Sequence, residues 1–302
     1  MILCCGEALV DLIPDADGTL VPHPGGAVFN TALALGRLGV EVGLLTGLST
    51  DAHGRMLAAT LAESGVETRL SIRTDRPTTR AIVTLENGVA RYRFKDEGSA
   101  GRMLRPADMP VPGPEVGTLV FGGNSLAVEP GAEAFAALLD RAAGSRVMMI
   151  DPNIRPDFIA DEARYRARLG AMLARADIVK VSDEDLDWLA PGAAALAGKV
   201  QAIGATGIVI VTEGARGATA VLPGGRTVQV AAKPVTVVDT VGAGDAFNAG
   251  VLAHLARAGL LDRKSLAVMS DDQVAAAIAH GHRVAAVTVS RAGANPPRAH
   301  EL

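Results

Sequence analysis

A glycine-rich turn that ends in an aspartate stands late in the chain, in the segment Asp239–Phe247 (DTVGAGDAF). An extended run, Val235–Val238, precedes it, and helical periodicity follows through about Ala258. In this order of strand, turn and helix, the first backbone N–H groups of the helix lack intrahelical partners and carry the positive end of the helix dipole. Gly242 and Gly244 keep side chains out of the way of a ligand. The segment therefore predicts an anion-binding site of the kind that holds phosphate.

Asp245 places a carboxylate in this same turn, which is a poor choice for binding an anion alone. The choice makes sense if the carboxylate faces an acceptor hydroxyl while the amides hold a phosphoryl group, since catalysis of phosphoryl transfer is mostly positioning and charge neutralisation. A simple N-cap of the helix is the alternative role for Asp245. A Walker A motif is absent, and Phe247 stands where a GxGxxG fingerprint needs its third glycine.

The elements that must position this turn alternate along the chain as short β-rich runs and longer Ala- and Leu-rich segments. This alternation predicts a doubly wound α/β sheet whose apolar strands are buried on both faces and mostly parallel. The predicted strands are Ile2–Cys5, Val42–Thr46, Thr118–Phe121, Val147–Ile150, Ile178–Val181, Ile208–Thr212 and Ala218–Leu222. The predicted helices are Asn30–Leu38, Gly54–Ser64, Ala132–Ala143, Arg164–Ala174, Asp245–Ala258 and Gln273–Ala286.

Two segments do not follow this alternation. Arg80–Phe94 contains two apolar runs around Asn87-Gly88, which predicts a β hairpin. Gly18–Pro24 is a second extended segment, and it leads into Gly25-Gly26. We expect these pieces to form a small β lid, over about residues 12–24 and 72–100, on a single α/β domain that spans residues 1–302.

The composition argues against several classes of protein. The chain has 302 residues and a net charge of −4, and its Lys and Arg residues are scattered, so nucleic acid is not an expected partner. The adjacent Cys4 and Cys5 cannot staple distant parts of a fold, which favours a reducing, cytoplasmic setting. The first residues carry Glu7 and Asp11 and lack a basic start, which predicts a buried strand rather than a signal peptide. No apolar stretch is long enough to span a membrane.

Two motifs in this order, Gly25–Gly39 (GGAVFNTALALGRLG) and Asp239–Phe247, resemble the signatures of the ribokinase (PfkB-type) carbohydrate kinases, and the resemblance covers essentially the whole chain. It implies a three-layer αβα sandwich with a small β lid, transfer of the γ-phosphate of Mg²⁺-ATP to a sugar hydroxyl, and a homodimer. It also implies that Asp245 is the base and that the anion hole consists of Gly242, Ala243, Gly244 and the Asp245 amide. Asp239 is the candidate for holding a monovalent cation such as K⁺.

On the sugar side, the resemblance implies a set of polar residues around the acceptor. Asp11, in GEALVDLIP, is expected to accept hydrogen bonds from sugar hydroxyls, with an ordinary turn aspartate as the alternative. Gly25 and Gly26 let the backbone approach a ligand, and Asn30 offers both a donor and an acceptor to a polyol. Phe94, in the predicted lid, also belongs to this predicted sugar site.

The segment Asp151–Pro156 (DPNIRP) follows a buried strand, where α/β folds bind their ligands. It resembles the DxNxR element of fructokinases and 2-keto-3-deoxygluconate kinases. Asn153 is expected to bind the substrate, and Arg155 to steady substrate or phosphate charge and so to assist catalysis. A polar loop with a surface arginine is the alternative.

Three further segments resemble the nucleotide-binding segments of the family. The family often shows NxxE after the strand that contains Lys180, whereas this chain has Ser182 and Asp185, so Asp185 is the candidate for a water-mediated contact to Mg²⁺. Residues 212–217 resemble a TxGxxG turn, and residues 293–295 resemble the segment that closes over adenine. The predicted nucleotide-binding residues are Lys180, Ser182, Thr212, Gly214, Gly217, Gly242, Gly244 and Asn295.

The resemblance implies a fructokinase-like enzyme that uses ATP and Mg²⁺. A 2-keto-3-deoxygluconate kinase is the alternative within the class, and Asp96 and Glu97, where that enzyme would bind a carboxylate, disfavour it. Ribose and nucleoside kinases rarely contain DPNIRP. A non-catalytic sugar or nucleotide sensor is the alternative from a different class, and the intact Asp245 argues against it.

Overall fold

The computed structural model describes residues 1–15, 17–86 and 89–302. Its strands are β1 (Ile2–Cys5), β2 (Leu9–Pro14), β3 (Leu20–Gly25), β4 (Val42–Leu45), β5 (Gly47–Ser49), β6 (Val66–Glu67), β7 (Ile72–Thr74), β8 (Arg80–Glu86), β9 (Val89–Lys95), β10 (Thr118–Gly122), β11 (Val147–Asp151), β12 (Ile178–Ser182), β13 (Ile208–Thr212), β14 (Ala218–Val221) and β15 (Thr227–Val230). Its helices are α1 (Ala27–Arg37), α2 (Ala52–Glu63), α3 (Gly131–Ala142), α4 (Glu162–Leu173), α5 (Asp183–Leu189), α6 (Leu196–Ala202), α7 (Ala243–Arg257), α8 (Arg263–Ala267) and α9 (Asp271–Val289).

The main sheet has the strand order β15-β14-β13-β12-β11-β10-β1-β4-β6 within the described ranges. The seven strands at one end of this order, β13, β12, β11, β10, β1, β4 and β6, pair in parallel with their neighbours. At the other end, β14 pairs antiparallel with β13, and β15 pairs antiparallel with β14. Parallel strands are joined by crossover helices that cover both faces of a sheet, which is why these strands are apolar throughout. The predicted mostly parallel α/β sheet is confirmed.

The two faces of the main sheet carry separate apolar cores. Within β1, Cys4 packs into a core with residues of α1, α2, α7 and α9, whereas its neighbour Cys5 points into the core formed with α3, α4, α5 and α6. Both thiols are fully buried, and burial raises the pKa of each well above its usual value. The helices therefore form two layers with the sheet between them, as the sequence predicts.

A second, smaller sheet has the strand order β3-β2-β8-β9. In it β2 and β3 form one antiparallel pair, β8 and β9 form another, and β2 joins β8 in parallel. The predicted turn at Asn87-Gly88 lies outside the described residues. Of the segment predicted to belong to this sheet, Ile72–Thr74 pairs instead with Gly47–Ser49.

One strand prediction is wrong. Val235–Val238 leads into the glycine-rich turn but belongs to no strand in the structure, and the side chains of Val237 and Val238 are 56% and 61% exposed. The backbone amides of Val238 and Asp239 donate to the carbonyl of Val289, at the end of α9. The end of a helix thus replaces a neighbouring strand as the partner of this extended segment.

Across the described residues, every helix is too short or too polar to cross a membrane.

Candidate active site

A cavity of about 1220 Å³ opens between the carboxyl ends of the central parallel strands and the small sheet. This is the edge of the sheet where α/β folds bind ligands, because the loops that follow parallel strands converge there. Eleven of the predicted site residues line it: Asp11, Gly26, Asn30, Phe94, Asn153, Arg155, Lys180, Gly242, Ala243, Gly244 and Asp245.

The amide cradle at the start of α7 borders this cavity. Gly242 is the N-cap of the helix and has φ +76°, a left-handed conformation that favours glycine. The backbone amide of Ala243 donates to the carbonyl of Thr240, and that of Ala246 donates to the carbonyl of Gly242. The amides of Gly244 and Asp245 belong to the first turn, whose N–H groups have no intrahelical acceptor. This geometry is that of an anion site.

The carboxylate of Asp245 lies at the mouth of the cradle and is only 7% exposed. It is the third residue of α7 and makes no capping bond, so the N-cap alternative is wrong. The side-chain amide of Asn30 donates to its Oδ2 at 2.9 Å. Burial raises the pKa of Asp245 to about 7, even though the Asn30 hydrogen bond and the charge of Lys180 lower it. A carboxylate with such a pKa is a suitable base near neutral pH.

A buried cluster of three polar side chains lies behind the cradle. The ammonium of Lys180 is 3.0 Å from Oδ2 of Asp151, and the amide of Asn248 donates to the same oxygen at 2.6 Å. All three residues are at most 5% exposed. Burial lowers the pKa of Lys180, yet the charge and hydrogen bond of Asp151 outweigh this and the pKa is raised overall. The sequence motifs did not assign roles to Asp151 or Asn248, although Asp151 opens DPNIRP and Asn248 follows Asp245 by one helical turn.

On the sugar side, Asp11 in β2 and Gly25 in β3 are in close contact. A Cβ atom at Gly25 would lie 2.4 Å from Oδ2 of Asp11, so the glycine makes room for the carboxylate. Burial raises the pKa of Asp11 to about 6, and the charge of His23, its cross-strand partner, lowers it. Gly26, with φ +109°, then turns the chain into α1, which carries Asn30. Asp11, Gly26 and Asn30 therefore all line the cavity, whereas Gly25 only makes room for Asp11.

Glu7 also lines the cavity, although no motif in the sequence predicted a role for it. Its Oε1 accepts from the amide of Ala27 at 3.0 Å and its Oε2 from the amide of Ser125 at 3.2 Å. Burial raises its pKa, and these hydrogen bonds lower it. Glu7 therefore ties the start of α1 to the loop after β10. The position of Glu7 in the segment GEALVD could have predicted this role, since a carboxylate two residues after a buried strand needs hydrogen-bond donors.

The DPNIRP loop reaches across the cavity toward the small sheet. Asn153 has φ +43°, a left-handed conformation that asparagine tolerates better than most residues. The guanidinium of Arg155 donates to the carbonyl of Ile154, and the residue is exposed. Beyond it, Phe158 meets Phe94 of β9 edge to face, with ring centroids 4.2 Å apart. This ring pair connects the core of the domain to the small sheet.

Asp185 holds this loop in place, a role that the sequence did not predict. Its Oδ1 accepts from the amide of Ile154 at 2.9 Å, and its Oδ2 accepts from the amide of Ser182. The Ser182 hydroxyl accepts in turn from the Asp185 amide, which completes a capping box at the start of α5. Neither Ser182 nor Asp185 is among the residues that line the cavity.

The remaining predicted residues lie beyond the cavity lining. Thr212 ends β13 beside Ser182, and Gly214 and Gly217 form the turn that follows, both with positive φ. Gly25, Thr212, Gly214, Gly217, Asp239 and Asn295 are outside the lining of the cavity itself.

Asp239 links the two loops beside the cradle. Its carboxylate accepts from the amides of Val241 and Gly293, at 3.0 and 2.9 Å. A Cβ at Gly242 would lie 2.8 Å from Ala294, so residues 293–295 pack directly on the turn. The side chain of Asn295 accepts from Arg37 of α1. The predicted adenine-side segment is thus attached to the anion site.

The comparison with known families identifies the class of protein to which this fold and site belong. The model of the pfkB family of carbohydrate kinases matches residues 1–301, and the chain therefore belongs to this family.

Individual relatives are named fructokinases. One from Rhizobium leguminosarum bv. trifolii is 49% identical over 282 residues, which are 90% of this chain and 84% of the relative. Another, from Klebsiella pneumoniae, is 36% identical over 88% of this chain and 87% of its own length. Among solved structures, the fructokinase of Xylella fastidiosa with bound ATP has a TM-score of 0.88 at 28% identity, over 97% of this chain and 93% of that one. A double mutant of the Vibrio cholerae O395 fructokinase, with fructose, ADP and a potassium ion, has a TM-score of 0.82 at 26% identity, over the same shares.

Proposed function

We propose that this protein is an ATP-dependent fructokinase, which transfers the γ-phosphoryl group of ATP to a hydroxyl of fructose. The observation that carries the proposal is the buried carboxylate of Asp245, bonded to Asn30 and standing at the amide cradle. Relatives named fructokinases, one of them 49% identical to this chain, support fructose as the acceptor.

The reaction follows from this arrangement. The amides of Gly244 and Asp245 hold the moving phosphoryl group, while Asp11 and Asn30 bind hydroxyls of the sugar. The hydroxyl oxygen forms the new bond to phosphorus as the bond to the leaving oxygen of ADP breaks, and its proton passes to the carboxylate of Asp245. The contact of Phe94 with Phe158 joins the small sheet to the loop across the cavity, and such a cover would favour transfer to the sugar over hydrolysis.

The residues at the cradle fit the phosphates of ATP. Gly244 leaves room that a side chain would fill, since a Cβ there would lie 2.9 Å from the ammonium of Lys180. Among the described residues, no three His, Cys, Asp or Glu side chains gather to form a metal site. Because Mg²⁺ usually binds phosphates and retains several waters, we propose that it arrives with ATP and neutralises phosphate charge there, with Asp185 acting through water.

We also propose a monovalent cation, K⁺, near Asp239. The Vibrio cholerae structure with a potassium ion supports this proposal. Asp239 already accepts two amide hydrogen bonds, yet each carboxylate oxygen retains a lone pair for a cation.

A neutral sugar suits this cavity better than the acidic sugar of a 2-keto-3-deoxygluconate kinase. Three of the five described arginines that line the cavity are paired with carboxylates: Arg102 lies 3.2 Å from Asp96, and Arg164 and Arg168 pair with Glu129. An arginine whose charge is neutralised by an adjacent carboxylate binds a substrate carboxylate less well. The pairing therefore supports a substrate without a carboxylate.

The proposal extends to assembly and setting. We propose a homodimer that pairs through the small sheet, where the apolar Ile13 and Leu20 are 39% and 44% exposed. We also propose a cytoplasmic setting, where the reduced Cys4 and Cys5 are stable. Light scattering coupled to gel filtration measures the mass, and a monomer at micromolar concentration would argue against the dimer.

Release of ADP on adding sugar tests the function. The wild-type protein is mixed with Mg²⁺-ATP and, in turn, fructose, 2-keto-3-deoxygluconate, ribose, tagatose phosphate and nucleosides. We expect the highest kcat/KM with fructose, and an Asp245→Asn variant should bind nucleotide but lose turnover. Preference for another acceptor would overturn the assignment of fructose. Binding of sugar and nucleotide without turnover would indicate a non-catalytic sensor instead of a kinase.

A further inference from the structure

The ion pair of Lys180 with Asp151 is buried, and it also lines the cavity. Lys180 comes from β12 and Asp151 from the end of β11, and both line the cavity although each is 5% exposed. A buried ion pair is an expensive way to stabilise a fold, because two ions lose their hydration and a pair of apolar residues would often be as stable. The presence of this ion pair is therefore better explained by a function than by its contribution to stability.

The position of the ammonium indicates this function. The Nζ atom of Lys180 lies 2.9 Å from the place that a Cβ of Gly244 would occupy. It thus stands at the floor of the amide cradle, on the side of the phosphoryl group rather than on the surface of the protein. A methyl group at position 244 would displace the ammonium from this place.

The other charged side chains that interact with Asp245 are the carboxylates of Asp151 and Glu7, which also line the cavity. The phosphates of ATP would add to this negative charge. Lys180 is the cation that interacts with both Asp151 and Asp245. Without it, the anion site would hold a phosphoryl group between carboxylates.

Asn248 completes the arrangement from α7, the helix that also forms the cradle. Its amide donates to Oδ2 of Asp151 at 2.6 Å, the same oxygen that accepts from Lys180 at 3.0 Å. Oδ1 of Asp151 is buried without a hydrogen-bond partner among the described residues, so the carboxylate is held through one oxygen only. Asn248 therefore fixes Asp151 relative to the cradle.

We propose that Asp151, fixed by Asn248, is a positioning residue that holds the ammonium of Lys180 against the transferring phosphoryl group. The proposal rests on the proposed phosphoryl transfer and adds a role for two side chains outside the signature motifs. Lys180 contacts the phosphoryl group while its bond to the leaving oxygen of ADP breaks and the bond to the acceptor oxygen forms. Asp151 acts on the phosphoryl group only through Lys180, and the acceptor proton goes to Asp245.

Steady-state kinetics of Lys180→Met, Asp151→Asn and the double variant test this directly. Loss of one preorganised charge at a transition state lowers kcat by about 10²–10³-fold, and we expect losses of this order for both single variants, with the sugar KM little changed. Because Asp151 acts through Lys180, the double variant should be no slower than Lys180→Met alone. Losses that multiply in the double variant would overturn the proposal.

Asp177→Asn is the matched control. Asp177 joins the same two strands at their far ends, since it accepts from the amide of Met148 and from Arg263. It lies outside the cavity lining, so its variant should keep the wild-type kcat. If Asp151→Asn and Asp177→Asn lower kcat equally, the effect is structural and the proposal fails.

The pH profile separates electrostatics from packing. Asp245 is faced by Asn30, Lys180, Asp151 and Glu7, and Lys180 lowers its pKa whereas the two carboxylates raise it. The acidic limb of kcat/KM should therefore move to higher pH in Lys180→Met. An unchanged limb would contradict a charge at this place.

Nucleotide affinity tests the proposal without turnover. A contact with the terminal phosphoryl group predicts that Lys180→Met and Asp151→Asn weaken a non-hydrolysable ATP analogue about 10-fold more than ADP, measured by calorimetry. Should Asp151→Asn fail to fold, Asn248→Ser should shift the same ratio in the same direction. An unchanged ratio in the folded variants overturns the proposal, whereas absence of turnover in the wild type would refute only the proposed kinase activity.

Discussion

The side-chain amide of Asn30 donates to Oδ2 of Asp245 at 2.9 Å, across 215 positions of the chain. Asn30 belongs to α1, which follows the small sheet, and Asp245 belongs to α7, whose start forms the amide cradle. One hydrogen bond thus joins the residue expected to hold the sugar to the residue expected to take its proton. The geometry of the acceptor and the ionisation of the base are consequently coupled.

This coupling predicts the pH dependence of Asn30→Ala. Since the Asn30 hydrogen bond lowers the pKa of Asp245, its loss should raise that pKa above the wild-type value of about 7. The base is active when ionised, so the acidic limb of kcat/KM should lie near pH 7 in the wild type and at higher pH in the variant. The measurement is kcat/KM for fructose from about pH 5 to 9. An acidic limb at the same pH in both proteins would show that the Asn30 hydrogen bond does not affect the pKa of Asp245.

Asp245→Asn should lose activity and gain stability at high pH. The folded protein raises the pKa of Asp245 from 3.8 to about 7, so the native state holds a proton that the unfolded chain has lost, and this group's contribution to stability falls as pH rises from about 4 to 7. An asparagine removes that penalty. We expect its free energy of unfolding at pH 8 to exceed that of the wild type by roughly 1–4 kcal/mol.

Urea unfolding of both proteins at pH 4 and pH 8 checks this prediction. The difference between them should be largest at pH 8 and nearly vanish at pH 4, where both side chains are neutral. A variant that is less stable than the wild type at pH 8 would contradict it.

Gly25→Ala should weaken sugar binding through Asp11. A Cβ atom at position 25 would lie 2.4 Å from Oδ2 of Asp11, so the carboxylate must move away from its place in the cavity wall. A hydrogen bond to a charged group contributes about 1.5–3 kcal/mol, so the KM for fructose should rise by roughly 10–100-fold. Gly117→Ala is the control, because nothing lies within 4 Å of its added methyl group. Equal KM values for the two variants would argue against Asp11 as a sugar ligand.

Glu129→Gln should make the enzyme more tolerant of an acidic sugar. Glu129 pairs with Arg168 and, at 3.3 Å, with Arg164, and its replacement by a neutral amide leaves these cavity arginines more positive. We expect the ratio of kcat/KM for 2-keto-3-deoxygluconate over fructose to rise about 10-fold. Glu133→Gln, which also removes a partner of Arg164 but lies outside the cavity lining, should leave the ratio unchanged. A similar change in both variants would point to a general effect of charge.

Seven of the nine described strands of the main sheet were predicted from the sequence to within a residue, because each is a continuous apolar run between polar turns. The two edge strands, β6 and β15, were not predicted, since β6 has only two residues and β15 has only one buried residue. The helices were predicted to start two or three residues late in several cases. Asp51, Asp161 and Ser270 cap α2, α4 and α9 with their side chains, and these caps lie before the apolar periodicity begins. The first residue of a helix is therefore fixed by a polar capping residue, which the apolar periodicity does not include.

The active site was only partly predictable. The cradle and Asp245 stand together in the sequence, so a local pattern reveals them. The contact of Lys180 with Asp151 joins two strands, and that of Asn248 with Asp151 joins a strand to a helix 97 positions away, so no local pattern specifies either. Val235–Val238 shows the converse, because its apolar pattern predicts a strand that the fold does not form.

The two sheets make different contributions to the cavity. The small sheet brings Asp11 and Phe94, whereas the main sheet and α7 bring Lys180, Asp151 and the amides. Under the proposed function, changes of sequence in the small sheet would alter the contacts to the alcohol without replacing the residues proposed to move the phosphoryl group. The small sheet is therefore the place where an engineer who wants another acceptor should begin.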